Sequence, residues 1–159
     1  MGRKGREILD MDVKPIIRSL QGAYASEWLA HYNFLHAAQI MVGINAPQVA
    51  AMLKTKAAGE LTHAMRIGER ILELGGALPT DWAEIPKVAH GPRWLFPKNA
   101  ADLKGILKVI LNIEREAIDV YQALHKSTIH RDTVTHELAE ELLADEVKDE
   151  EEIENLLGE

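Results

Sequence analysis

Glu60 and His63 stand three residues apart, a spacing that puts a carboxylate and an imidazole on one face of a helix. Their Cβ atoms are then about 5–6 Å apart, close enough for both side chains to touch one metal ion. The surrounding run is amphipathic, because Val49, Leu53, Ala57, Glu60, His63/Ala64, Ile67, Ile71 and Leu74 recur at three- and four-residue steps. Both polar residues therefore belong to an apolar stripe. A buried carboxylate without a partner is strongly unfavourable, so the rest of the chain must supply one. Three more glutamates are placed in the same way. Glu27 interrupts the stripe Ile16/Ile17, Leu20, Tyr24, His31, Phe34, Ala38, Met41. Glu114 interrupts Leu103, Leu107, Ile110, Ala117, Tyr121, Leu124. Glu146, with Asp149, interrupts Leu138, Leu142, Ile153, Leu156.

The elements that must position these residues are helices. Apolar residues make up 47% of the 159 positions but aromatic ones only 5%, a composition suited to packed helices rather than sheets. An all-α single domain over residues 1–159 follows, with helices expected at 15–43, 47–75, 100–126 and 131–157 behind a basic tail, 1–14. Lys14-Pro15 marks the first start, Gly75-Gly76 a left-handed C-terminal cap, and Asn99 or Asp102 the third N-cap. Residues 77–99 hold Pro79, Pro86, Pro92 and Pro97 with no sustained period. This segment is predicted to be a long crossover in a four-helix bundle, which makes the helices it joins parallel. A helix rises ~1.5 Å per residue, so residues equidistant from a hairpin turn share a height. About turns near Asn45 and Thr128, Glu27, Glu60, His63, Glu114 and Glu146 all fall within a few residues of one level. Four buried carboxylates at one level would repel one another unless cations joined them, and two divalent ions would remove the repulsion.

Composition narrows the chemistry. The chain has no cysteine, so a metal must be held by oxygen and imidazole, which suits iron, manganese or zinc. The start MGRKGREILDMD lacks the apolar core of a signal peptide, and no apolar run has the ~20 residues of a membrane span. A soluble cytoplasmic protein with no membrane partner is expected. The net charge of −7 disfavours nucleic acid, apart from the short basic arm at Arg3, Lys4 and Arg6.

The pattern resembles the ferritin-like superfamily, bacterioferritin and the bacterioferritin-like Dps proteins in particular, over residues 16–157. Its carriers are Glu27, the Glu60-x-x-His63 motif followed by GERILELGG, Glu114, and Glu146 in LADE. The resemblance implies two irons per subunit, bridged by Glu60 and Glu146, with Glu27 and His63 completing one position and Glu114 the other. It implies oxidation of iron(II) by dioxygen or hydrogen peroxide and iron storage in an oligomeric shell. The missing fifth helix and the added N-terminal segment favour a 12-mer over a 24-mer. Two substitutions set the chain apart. Asp149 stands where the family has a histidine, with Glu150 as a competitor for the role. Leu61 replaces the methionine that binds haem in bacterioferritin, so haem is not expected. Alternatives are a small di-iron or di-manganese oxidase, peroxidase or catalase, and a DNA-protecting protein acting through the basic tail. Glu140 or Glu141 are candidates for mineral nucleation. His31 reads as a seam residue, and Tyr24 and Tyr121 as core packing.

Overall fold

Short acidic side chains set where three of the four long helices begin. In the computed structural model, which describes residues Met1–Glu159, the Asp12 carboxylate accepts from Lys14 N at 3.1 Å and opens α2, Val13–Ile40. Asp102 accepts from Gly105 N at 2.9 Å and opens α5, Leu103–Thr128. Asp132 accepts from Thr135 N at 3.1 Å and opens α6, Thr133–Leu157. Each such cap satisfies an otherwise unpaired amide and contributes about 1 kcal/mol. The fourth, α3, Ala46–Glu73, has no side-chain cap but carries Pro47 in its first turn, where a missing N–H does no harm. Gly75, at φ +84°, ends it, with Gly76 N donating to Ile71 O at 2.9 Å.

The architecture is all-helical and built as two hairpins, α2 with α3 and α5 with α6. Several boundaries differ from expectation. Helix α2 stops at Ile40, three residues before Gly43, because Met41 is extended. Helix α5 starts at Leu103, where its cap lies, and continues to Thr128. Residues 1–14 are not simply a tail. They contain a short helix, α1, Arg3–Glu7, braced by Arg3 and Lys4 on Glu7, and Asp10 N donates to Arg131 O at 3.1 Å.

The segment 77–99 lies against α2 and includes one further turn of helix, α4, Ile85–Val88. His90 fastens it there: its Nε2 is 3.1 Å from Ser19 O, and its backbone N donates to Ser26 Oγ at 2.9 Å. Gly22 admits the ring, because a Cβ at that position would fall 2.3 Å from His90 Nε2. Val42 N donates to Ala100 O at 3.0 Å, so the end of α2 and the start of α5 share one end of the bundle. Helix α3 starts there too, and α3 and α5 therefore run parallel.

Apolar packing fills both ends of the bundle. Phe34, Leu53, Ile106, Ile110 and Ile153 centre one cluster, and Leu20, Ile67, Ile71, Tyr121 and Leu142 the other. Burying each of these larger side chains contributes roughly 1.5–3 kcal/mol. Between the clusters lies a layer of buried polar side chains: Glu27, Lys56, Glu60, His63, Glu114 and Glu146.

Candidate metal centre

Each long helix contributes to this polar layer at the position where its stripe substitutes a charge for a hydrocarbon. Glu27 comes from α2, Glu60 and His63 from α3, Glu114 from α5 and Glu146 from α6. Ligand atoms of Glu27, Glu60, His63 and Glu146 all lie within 4.8 Å of one another, as do those of Glu60, Glu114 and Asp149. Glu60 belongs to both groups. His63 Nδ1 is 3.0 Å from Glu146 Oε1, 3.4 Å from Glu60 Oε2 and 3.7 Å from Glu27 Oε2. Its other nitrogen, Nε2, lies 3.4 Å from Asp145 Oδ2. In the tautomer that carries its proton on Nε2, toward Asp145, the Nδ1 lone pair faces the carboxylates, the usual way an outer carboxylate orients a ligating histidine.

The electrostatics describe a layer short of positive charge. Burial pushes Glu60 well above the ordinary carboxylate range, and the charges of Glu146 and Glu27 push it further. Glu114 is raised by burial and by Glu146. Glu146 is raised by burial to about 6, with His63 working in the opposite direction. For His63, burial opposes the imidazolium, but the carboxylates of Glu146, Glu27 and Glu60 outweigh it and raise its value. Without cations the layer therefore collects protons. Oε2 of Glu27, Oε1 of Glu114 and Glu146, and Nδ1 of His63 are buried without an aligned hydrogen bond. Buried polar atoms are seldom left so. Orphaned lone pairs aimed at a common space are what divalent ions require, and the donor set of carboxylates with one imidazole fits iron or manganese.

A cavity of about 660 Å³ reaches Glu27, Glu60, Glu114 and Tyr121 from between α2, α5 and the crossover, past Asn33, His36, Trp94 and Phe96. Tyr121 does more than pack, since its hydroxyl donates to Glu27 Oε1, and burial and the Glu27 charge raise its own value.

The sequence of the ferritin-like domain family matches residues 17–159. The chain belongs to that ferritin-like family. The "DNA protection during starvation protein" of Pyrococcus furiosus is 29% identical over 147 residues, 92% of this ferritin-like chain and 79% of the relative. The bacterioferritin-related protein of Bacteroides fragilis, described as a dodecameric thioferritin, superposes with a TM-score of 0.92 at 28% identity, covering 99% of this chain and 94% of that one. Dps from Thermosynechococcus elongatus shares the fold, with a TM-score of 0.83 at 16% identity over 91% of this chain and 90% of its own.

Other candidates on this ferritin-like chain lie elsewhere. Glu150 accepts from Arg115 Nε at 2.8 Å and stands outside both groups, whereas Asp149 belongs to the second. Glu141 pairs with Arg66. Glu140 forms a separate group with His125 and His136, whose rings stack at 3.9 Å. His31 Nδ1 is 2.6 Å from Ala57 O and joins α2 to α3. Tyr24 packs edge-on to Trp28. Two residues near these ligands have no counterpart in the sequence reading. Asp145, on the exposed side, lies against His63 Nε2. Lys56 reaches Asp149 Oδ1 at 2.7 Å and Glu152 Oε2 at 2.8 Å, and although burial lowers its value these two bonds raise it overall.

Leu61 offers iron no lone pair. Protein purified from haem-replete cells is expected to show no intense Soret band in its absorption spectrum; stoichiometric haem would contradict the reading of Leu61.

Proposed function

We propose that the chain is a ferroxidase that binds iron(II) as substrate at the mid-bundle layer and stores the oxidised product within a homo-oligomeric shell, with twelve subunits favoured. The observation that carries this reading is the convergence of Glu27, Glu60, His63 and Glu146 within 4.8 Å, with Glu114 and Asp149 alongside. Two iron(II) ions bound there would each lose one electron. A molecule of hydrogen peroxide takes up both electrons and two protons and leaves as two waters; dioxygen taking up the same two electrons and two protons leaves as hydrogen peroxide. Hard carboxylates favour the product iron(III) over iron(II), which makes oxidation downhill. Glu27 and His63 would complete one position and Glu114 and Asp149 the other; Glu60, common to both groups, and Glu146, which bonds Glu114, would connect them. The Tyr121 hydroxyl holds Glu27 in place from the apolar side.

Light scattering, combined with counting iron per particle after aerobic loading, tests the proposal. Hundreds of irons retained by a particle of about twelve chains is the expected result. Two irons per chain with none stored would favour a second reading, oxidation of a small organic molecule. The cavity beside Glu27 and Glu114 is the observation that supports that alternative. DNA contact through the N-terminal arm is the weaker partner proposal, since Glu7 pairs with both Arg3 and Lys4. No helix of the chain is long and apolar enough to cross a membrane.

A further inference from the structure

Lys56 is a lysine where the α3 stripe calls for a hydrocarbon. It lies one turn before Glu60 and is 5% exposed. An ammonium so buried is unfavourable unless carboxylates surround it, and Asp149 and Glu152 do so at 2.7 and 2.8 Å. Apolar packing does not call for this charge, because leucine or methionine would continue the stripe of Val49, Leu53 and Ala57. The partners show what it does act on. Asp149 also belongs, with Glu60 and Glu114, to the second group of converging ligand atoms. One side chain therefore faces the ammonium and the second cation position at once.

We propose that Lys56 sets the affinity of the second cation position, formed by Glu60, Glu114 and Asp149, and makes it the weaker, exchanging position of the pair. This rests on the two-cation reading of the layer. The ammonium supplies a fixed positive charge next to that position and holds the Asp149 carboxylate that belongs to it. The other position has no fixed cation: the groups paired with His63 Nδ1 are the carboxylates of Glu27, Glu60 and Glu146, and an imidazole, unlike an ammonium, gives up its proton readily to an incoming ion. An ion there is held tightly, and one beside Lys56 can leave. Glu152, 54% exposed at its side chain, shares the ammonium and so leaves Asp149 partly free.

Anaerobic titration with cobalt(II), followed by its visible absorption and by equilibrium dialysis, tests this on the full-length protein. The native chain should bind one ion tightly and one weakly. In Lys56→Met the second affinity should rise about 100-fold, as expected for removing one charge a few ångströms from a divalent ion. Lys56→Arg keeps the charge and should keep the gap. Glu152→Gln, at an exposed position that does not threaten the fold, should concentrate the ammonium on Asp149 and weaken the second position several-fold. Equal affinities in the native protein would overturn the inference, as would a second affinity unmoved in Lys56→Met or, where that variant does not fold, in Glu152→Gln. Failure of the underlying reading would look different: cobalt binding that Glu60→Gln leaves intact would show that the layer is not the metal centre at all.

Discussion

Glu60→Gln should fold as well as the native chain and oxidise iron(II) at least about 100-fold more slowly, a barrier increase of about 2.7 kcal/mol or more. Glu60 is the one residue shared by both groups of converging ligand atoms, so its loss weakens both positions together. The amide is nearly isosteric, leaves no cavity and removes a charge that burial and the carboxylates of Glu146 and Glu27 already disfavour. The metal-free variant should therefore melt no lower than the native protein. Stopped-flow absorbance under excess oxidant measures the rate, and thermal unfolding followed by circular dichroism measures the stability. Glu140→Gln, which alters the separate group with His125 and His136, should oxidise iron at the native rate.

The largest loss of stability is expected at Arg70 and Asp132. Arg70, 3% exposed, donates from Nη2 to both oxygens of Asp132, at 2.8 and 2.9 Å, from Nε to Thr135 Oγ1 at 2.8 Å, and from Nη1 to Glu73 Oε2 at 2.7 Å. One guanidinium thus ties α3 to the cap of α6. Asp132→Asn leaves the guanidinium buried against a neutral partner and weakens the cap, at a cost of about 3–5 kcal/mol. For a chain of this size that lowers the melting temperature by roughly 10 °C. Burial works against the Asp132 carboxylate, but Thr135 and Arg70 outweigh it and hold its value below the ordinary 3.8. Its contribution is therefore fully present above pH 3.8 and is lost as pH falls through the lowered folded value. The gap between native protein and Asp132→Asn should be wide at neutral pH and close in stronger acid, which urea melts across that range would measure.

The four helices and the level of the polar layer were legible because both are written as periodicity. An apolar stripe broken once by glutamate specifies a face and a height, and the hairpins at Asn45 and near Thr128 fix the rest. What pairs across the bundle was less legible. Lys56 sits beside Ala57 in the stripe, where a lysine ordinarily lays its stem on the core and leaves its charge in water. Only the approach of Asp149 and Glu152, far along the chain, buries that charge. Asp145 precedes Glu146 and reads as the solvent side of α6, and it is indeed exposed; its role comes from lying near His63 Nε2. Leu156 continues the α6 stripe in sequence yet is exposed, while its neighbour Leu157 takes the place against the core. Helix α4 was hidden among prolines because packing against α2, not its own four residues, sustains it.

Metal is expected to bind in the mid-bundle layer. Crystals soaked anaerobically with iron(II) and measured on both sides of the iron absorption edge would locate it directly. Anomalous density is expected between Glu60 and Glu146, next to Nδ1 of His63, with a weaker second peak between Glu114 and Asp149. Iron found only at the bundle surface, for example at His125, His136 and Glu140, with none inside the layer, would contradict it.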